Sequence, residues 1–181
     1  HPGESGYSVL DYLLEGKDTI PEDKGIFLNK TYRLHPKINS FISENFYENR
    51  LFFNQTNINR KIEYKKNSII KSDGIHSIEM NHEGRSQQSI EEFEIIKKII
   101  DQSIGCEFTD FDNSKRKINV NDILIVSPYN VQVNFLKERL IKGIRCGTID
   151  KFQGMEAPIV IISMTSSSVE DLPRNKKFFF N

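Results

Sequence analysis

The side chains best suited to chemistry lie in a polar loop between two strand-like segments. Residues 150–157 are rich in Asp, Lys, Gln and Glu and contain one glycine, Gly154. Residues 144–149, before the loop, have a strand-like pattern, and residues 158–164 are almost wholly apolar and β-branched. The second pattern predicts a strand that is buried on both faces of a parallel sheet. A polar loop between two central strands is a usual place for a ligand, so we expect a binding site here.

The sequence lacks the signatures of several other chemistries. It contains no G-x-x-x-x-G-K-[ST] phosphate loop, no G-x-S-x-G nucleophile motif and no H-E-x-x-H zinc motif. Cys106 and Cys146 are far apart without a CxxC, and Cys146 follows the pattern of a small core residue. His76 and His82 flank a strand-like segment and lack metal-ligand spacing. We therefore predict no metal site in this sequence.

Composition and charge exclude few functions. The chain has 181 residues, of which 37% are hydrophobic and 28% are charged, and this length fits one domain with a real core. Twenty-five basic and 25 acidic residues cancel, so global charge predicts neither nucleic acid nor membrane as a partner. The longest apolar run is too short to span a bilayer, and no secretory signal pattern opens the chain. These features favour a cytoplasmic location without a membrane partner.

Hydrophobic periodicity predicts alternating strands and helices along most of the chain. Ser89 lies three residues before Glu92, which is the spacing of a capping box, and an apolar helical stripe follows. Strands are expected over residues 26–33, 75–80, 122–127, 144–149 and 158–164, helices over 7–14, 36–47, 89–103 and 130–140, and a loop over 105–121. The alternation in the second half predicts right-handed βαβ units around a parallel sheet, which is an α/β fold.

Residues 54–72 have the weakest structural pattern. They are rich in Asn and Lys, and four basic residues lie close together: Arg60, Lys61, Lys65 and Lys66. A solvated loop is the simplest interpretation, and contact with nucleic acid is the alternative.

Three segments resemble motifs of superfamily-1 helicases of the 5′→3′ branch, which is called 1B. Residues 148–156, Thr-Ile-Asp-Lys-Phe-Gln-Gly-Met-Glu, are similar to motif V. Residues 28–36 resemble the motif at the start of the second RecA-like domain, with Leu34 in place of the usual Met. Residues 125–132 resemble the strand-to-helix turn that touches the nucleic-acid backbone. The three segments follow the family's order and rough spacing, and the resemblance covers essentially residues 1–181.

The resemblance implies a RecA-like (P-loop NTPase-like) parallel sheet with flanking helices. Residues 1–25 would be a connector from a first RecA-like domain, and residues 26–181 would form the second. Motifs I, II and III are expected before His1 and motif VI after Asn181, so we expect a domain truncated at its C-terminus and inactive alone. Its parent would be an ATP-dependent DNA or RNA helicase. The opening and closing residues are also similar to bacterial chains that join a RecB-like nuclease domain to such a helicase.

The resemblance also assigns a role in nucleotide binding to five residues. Arg33 would be a catalytic arginine finger that neutralises charge developing on the γ-phosphoryl group of ATP. Tyr32 would stack on adenine, Glu156 would accept hydrogen bonds from the ribose hydroxyls, and Gln153 would be a further nucleotide contact. Gly154 would let the backbone approach the phosphates. The Mg²⁺ that accompanies ATP would be held by the first RecA-like domain.

A second set of residues would contact a single strand of DNA or RNA. The resemblance places Ser127, Pro128, Tyr129, Gln132 and Thr148 along that strand, where hydroxyl and N–H groups hold phosphates without reading sequence. The position in the family implies 5′→3′ movement along the strand.

Taken one at a time, these residues allow simpler interpretations. Arg33 could be a surface salt-bridge arginine, Tyr32 and Tyr129 could be aromatics at the edge of a core, and Glu156 could be a solvated loop acid. Two other functions therefore stay open. One is a non-catalytic module that binds single-stranded nucleic acid, and the other is a degenerate RecA-like scaffold that docks partners.

Overall fold

The computed structural model describes residues 8–14, 16–71, 73–80, 84 and 86–166. The helices are α1 (Val9–Leu14), α2 (Pro36–Phe46), α3 (Ile90–Ser103) and α4 (Asn130–Arg139). The strands are β1 (Lys30–Thr31), β2 (Phe52–Phe53), β3 (Lys61–Glu63), β4 (Glu107–Thr109), β5 (Lys115–Lys117), β6 (Ile123–Val126), β7 (Arg145–Gly147) and β8 (Ile159–Ile162). These described residues fall into two compact units. The first takes its residues from 1–61, 73–75 and 109–114, and the second from 62–72, 76–108 and 115–181.

The central sheet of the second unit is parallel and has the strand order β7-β6-β8. Leu124 of β6 pairs with Arg145 of β7 on one side and with Val160 of β8 on the other. Helix α4 lies in sequence between β6 and β7, as a parallel pair requires, because its strands need a crossover connection. The predicted α/β fold with a parallel sheet is therefore confirmed.

Three of the four residues of β6 are buried, and two of them belong to the main apolar cluster. Ile123 and Ile125 are fully buried, and they belong to the same apolar cluster as Leu136 of α4 and Ile100 of α3. Cys146 of β7 also lies in this cluster, which confirms the prediction of a small core residue. Burial raises the pKa of the Cys146 thiol to about 11, so this cysteine stays protonated and unreactive at neutral pH.

Strand β8 is buried on one face, whereas the sequence pattern predicted burial on both. Ile159 is 9% exposed, but Val160 and Ile162 are 53% and 66% exposed within the described part of the chain. The exposed face continues into a depression of about 460 Å³, which Leu124 and Phe152 help to line. An apolar β-branched run fits a strand with either one or two covered faces, so the pattern could not separate the two cases.

In the first unit, polar contacts connect the secondary structure elements. Strands β1 and β2 are parallel, with Lys30 opposite Phe52. The buried Asn39 of α2 donates its side-chain N–H to the Leu51 carbonyl at 3.0 Å, and the Leu51 amide donates to the buried Ser43 hydroxyl at 3.1 Å. The fully buried apolar side chains found among the described residues all lie in the second unit. Hydrogen bonds from buried polar side chains therefore contribute to the geometry of the first unit.

Three local predictions were wrong. Strand β1 covers only Lys30–Thr31 of the expected 26–33, and residues 75–80 form no strand. The expected loop over 105–121 contains β4 and β5, with Asn113 in a left-handed conformation in the turn between them. Strand β5 was missed because its sequence, Lys-Arg-Lys, consists of exposed basic residues and has no apolar alternation. No helix in the described ranges is long and apolar enough to cross a membrane.

The start of α2 depends on the protonation state of His35. Its ring Nδ1 accepts a hydrogen bond from the Lys37 amide at 3.3 Å, so this nitrogen must carry no proton. Burial lowers the pKa of His35 below its ordinary value of 6.5, the positive charge of Lys37 adds to this, and Asp73 opposes it. The unfolded chain therefore takes up a proton at a higher pH than the folded chain does.

We predict that stability decreases as the pH falls below about 6.5, because protonation of His35 then favours the unfolded chain. The variant His35→Asn keeps a capping side chain but cannot titrate, so its melting temperature should fall less between pH 7.5 and pH 5.5. Melting curves over this range test the prediction. His76→Asn, at an exposed position, is the control and should behave like the unmodified protein. An equal pH dependence in all three proteins would contradict the role of His35.

Candidate functional site

The parallel sheet of the second unit brings polar residues to one edge. Ser127 follows β6, Thr148 follows β7 and Ser163 follows β8, and all three strands run in the same direction. The pairing continues past the strand ends. The Ser127 amide donates to the Gly147 carbonyl at 3.1 Å, and the Ser163 amide donates to the Val126 carbonyl at 2.9 Å. The carboxyl edge of a parallel sheet is where ligands bind in open α/β folds.

At this edge, Gln132 is fully buried and its side-chain amide is satisfied within the protein. The amide oxygen accepts from the Ser89 backbone N–H at 3.1 Å. The amide nitrogen donates to the Ser89 carbonyl at 3.3 Å and to the Ser163 hydroxyl at 3.0 Å. One side chain of α4 thus joins the start of α3 to the end of β8. In this conformation Gln132 holds other groups in place rather than facing a ligand.

Glu92 extends the same network. The sequence predicted Glu92 as the distal member of a capping box, and the Ser89 hydroxyl does accept from the Glu92 amide at 3.1 Å. The Glu92 carboxylate accepts hydrogen bonds from the end of β8, from the Ser163 hydroxyl at 2.5 Å and from the Thr165 amide at 2.7 Å. No local sequence pattern predicts this contact, because the partners are more than 70 positions apart along the chain.

The five residues predicted to contact nucleic acid differ in their accessibility. Ser127 and Gln132 are fully buried, and Tyr129 is 8% exposed, with its hydroxyl 3.1 Å from the Ser166 hydroxyl oxygen. Pro128 and Thr148 are half-buried. Because a ligand can touch only accessible atoms, Pro128 and Thr148 are the members of this set best placed for direct contact.

The loop from Thr148 to Glu156 presents its polar groups to solvent. It opens with a 3₁₀ turn (Ile149–Phe152), and Gln153, Gly154 and Glu156 are exposed. Gly154 has a φ of +80°, a conformation that favours glycine, and it lies between Phe152 and Met155, whose carbonyl and amide are hydrogen-bonded at 2.9 Å.

A second glycine, Gly147, fixes the start of this loop. A Cβ atom at Gly147 would lie 2.9 Å from Cε2 of the Phe152 ring, closer than carbon atoms approach without displacement. The absence of a side chain at Gly147 therefore lets the 3₁₀ turn fold back onto the end of β7.

Tyr32 and Arg33 lie in the first unit, on the turn that connects β1 to α2. The Tyr32 ring is 66% exposed, and the Lys30 ammonium lies 5.5 Å from its centroid. The Arg33 side chain is exposed, and its amide donates to the Thr31 hydroxyl at 3.2 Å. The turn therefore exposes an aromatic residue and an arginine that are consecutive in the sequence, which is the combination that the sequence singled out.

Sequence reasoning missed two residues that contact this turn. Asn57 donates its side-chain N–H to the Leu34 carbonyl at 3.0 Å, and Arg60 donates to the Arg33 carbonyl at 2.8 Å. Arg60 was placed in a solvated basic stretch, but its side chain is only 21% exposed and pairs with Asp110. The basic residues around Arg60 look alike in the sequence, and only the fold shows that the Arg60 side chain is mostly covered.

No group of three or more His, Cys, Asp or Glu side chains in the described ranges is placed to hold a metal ion.

We predict that Gln132→Ala lowers the free energy of unfolding by about 1–3 kcal/mol, because it leaves the buried Ser89 backbone N–H without its acceptor and removes the hydrogen bond to the Ser163 hydroxyl. Urea unfolding measures this change. Gln153→Ala, at an exposed position, is the control and should change the free energy of unfolding by less than about 0.5 kcal/mol. A fully stable Gln132→Ala variant with weakened single-strand binding would instead assign Gln132 to direct contact.

Comparison with known proteins identifies a family and several relatives. A family described as AAA domain (AAA_12) matches residues 6–179. An uncharacterised ATP-dependent helicase of Caenorhabditis elegans is 28% identical over 152 residues, which is 80% of this chain and 10% of that protein. The DNA polymerase alpha-associated DNA helicase A of Saccharomyces cerevisiae is 28% identical over 156 residues, 78% of this chain and 23% of that protein.

Helicase SEN1 of the same yeast is 30% identical over 155 residues, 75% of this chain and 6% of that protein. The chain thus spans a quarter or less of the length of these curated relatives. The family match, by contrast, runs through almost the whole chain and includes all three motif segments. The chain therefore belongs to this AAA domain family.

Proposed function

We propose that the domain is the second RecA-like half of an ATP-driven motor that moves 5′→3′ along a single strand of DNA or RNA. The observation that supports this most is the Tyr32–Arg33 turn, which exposes a ring and a guanidinium on a backbone held by hydrogen bonds. In this proposal residues 26–181 form the motor domain, and residues 1–25 lead in from the first RecA-like domain.

The accessible groups suit a nucleoside triphosphate by their chemistry. The exposed Tyr32 ring offers a planar apolar surface for adenine, and the exposed Glu156 carboxylate offers an acceptor for ribose hydroxyls. The Gln153 amide can donate and accept, and Gly154 leaves the backbone open to phosphate oxygens. Bound ATP would supply the phosphoryl group that is transferred to water, and its Mg²⁺ would be held by the first RecA-like domain.

Arg33 carries the catalytic role in this proposal. Charge develops on the transferring phosphoryl group, and a guanidinium fixed nearby stabilises that charge more in the transition state than in the ground state. Arginine suits this role because its planar fork stays protonated and matches phosphate oxygens in two directions at once.

The same domain would grip the strand by its accessible edge groups. We propose that Thr148 and Pro128 touch the nucleic-acid backbone directly. The buried Ser127, Tyr129 and Gln132 would support the edge from below through the hydrogen bonds described above. Contacts of this kind bind the sugar-phosphate backbone and are tolerant of sequence.

We expect Arg33→Ala in the full-length protein to lower single-strand-stimulated ATP turnover by about 10³-fold, since the mutation removes charge stabilisation from the transition state. Nucleotide affinity should change little, because adenine and ribose contacts remain. Turnover by a coupled phosphate-release assay and affinity by a fluorescent nucleotide analogue measure the two effects.

Arg139→Ala is the matched control, because it removes an arginine from the surface of α4 in the second unit. It should leave turnover unchanged. Unchanged turnover in Arg33→Ala would reject the assignment of Arg33 as an arginine finger. Salt-sensitive single-strand binding without any ATPase activity would favour the non-catalytic binding module.

Polarity is tested separately. The full-length protein should unwind a duplex with a 5′ single-stranded overhang faster than one with a 3′ overhang, as the 1B branch implies. A strand-displacement assay on the two substrates measures this, with a blunt duplex as the control. Preference for the 3′ overhang would contradict the proposed direction while leaving the role of Arg33 intact.

A further inference from the structure

We infer that Asn57 and Arg60 are positioning residues for Arg33, holding the backbone from which its side chain projects. This inference rests on the proposed function of Arg33. Both residues come from the segment after β2, and both bind carbonyl groups of the Tyr32–Leu34 turn. All of these residues belong to the first unit.

Asn57 holds the carbonyl of the residue after Arg33. Its side chain is buried, with the residue 1% exposed, and its Nδ2 donates to the Leu34 carbonyl at 3.0 Å. Asn57 lies in a 3₁₀ turn (Gln55–Asn59) whose first residues are capped by Asn54, because the Asn54 side chain accepts from the Thr56 amide at 3.0 Å. The donor is therefore fixed by a short, locally capped element.

Arg60 holds the carbonyl of Arg33 itself. Its Nη1 donates to that oxygen at 2.8 Å, while its Nε pairs with Asp110 Oδ1 at 3.0 Å. The Arg60 guanidinium also lies 5.3 Å from the centroid of the Phe111 ring. A guanidinium is planar and rigid, so an ion pair on one edge and a ring contact together fix the direction of the remaining N–H groups. One of those N–H groups points at the Arg33 carbonyl.

Three carbonyl groups in and beside this turn accept hydrogen bonds from the segment after β2. The Thr31 carbonyl accepts from the Asn54 amide at 2.8 Å, the Arg33 carbonyl accepts from Arg60, and the Leu34 carbonyl accepts from Asn57. A bond to a carbonyl oxygen orients the whole peptide plane, because the plane is rigid. Arg60 thus restrains the peptide plane that follows the Arg33 Cα, and Asn57 restrains the next plane. The plane that precedes the Arg33 Cα is restrained by the Arg33 amide, which donates to the Thr31 hydroxyl at 3.2 Å.

This restraint matters because the Arg33 guanidinium must lie close to the phosphoryl group in the transition state. A displacement of about 1 Å in a catalytic group can cost on the order of 10²-fold in rate, even when the mutated residue lies away from the chemistry. Loss of either donor would let the turn relax, and Arg33 would spend less time where it is needed. The effect should fall on kcat rather than on KM, because ground-state nucleotide contacts do not pass through Arg33 in this proposal.

The test is a double-mutant cycle in the full-length protein, with single-strand-stimulated ATP turnover as the readout. Arg60→Ala should lower kcat by about 10- to 100-fold with KM for ATP changed less than about threefold. In the Arg33→Ala background, the same Arg60→Ala change should lower kcat by less than about twofold, since a positioning residue has nothing left to position. Asn57→Ala should behave in the same way.

The second unit supplies a matched control. Arg116 pairs with Asp122 at 2.6 Å and lies 5.0 Å from the Phe108 ring centroid, so Arg116→Ala removes an equivalent ion pair and ring contact away from the turn. It should leave kcat unchanged. If Arg60→Ala fails to fold, Asp110→Asn removes the charge that orients Arg60 and should give a smaller loss of kcat, again absent in the Arg33→Ala background.

The outcomes separate this inference from the function on which it rests. A kcat loss in Arg60→Ala that persists in the Arg33→Ala background, or one no larger than in Arg116→Ala, overturns the positioning role alone. If turnover collapses in Arg33→Ala but stays full in both Arg60→Ala and Asn57→Ala, the positioning role is again overturned alone. Unchanged turnover in Arg33→Ala overturns the proposed finger and this inference together.

Discussion

The pairing of β6 with a parallel strand on each side is the constraint on which the second unit depends. Because Leu124 pairs in parallel with Arg145 on one side and Val160 on the other, the carboxyl ends of all three strands lie at the same edge of the sheet. That edge then collects Ser127, Thr148 and Ser163, which are distant in sequence. The period of two along β6 sends Ile123 and Ile125 into the core. Backbone hydrogen bonding thus brings the residues of the candidate site together, and apolar burial stabilises the sheet on which they lie.

Buried polar groups connect this sheet to the helices. Gln132 and Glu92 make hydrogen bonds to backbone and hydroxyl groups at the ends of α3 and β8. In a low-dielectric interior such bonds are strong, and an unmade bond is costly, so the network favours one relative position of α3, α4 and β8. Such support suits an edge of the sheet that contacts nucleic acid, as we propose.

The first unit achieves fixed geometry by a different route. Its described residues include no fully buried apolar side chain, and its buried groups are polar ones such as Asn39, Ser43 and Asn57. Each of these three makes a hydrogen bond to main-chain atoms of a neighbouring segment. The exposed Tyr32 and Arg33 therefore project from a backbone that is defined by directional bonds. Directional bonds define a turn more sharply than apolar contact, which has no preferred direction.

The sequence by itself determined the α/β class, the parallel sheet, helices α2, α3 and α4, and the family, because hydrophobic period, capping residues and short motifs are local properties. It also singled out the Tyr32–Arg33 turn and the loop with Gly154 and Glu156, which the structure places in exposed positions. It could not find β5, whose exposed basic residues have no apolar alternation. Only the tertiary structure showed that Gln132 is buried, that β8 has one exposed face, and that Arg60 donates a hydrogen bond to the Arg33 carbonyl. Each of these depends on partners far along the chain, and burial is decided by those partners rather than by local sequence.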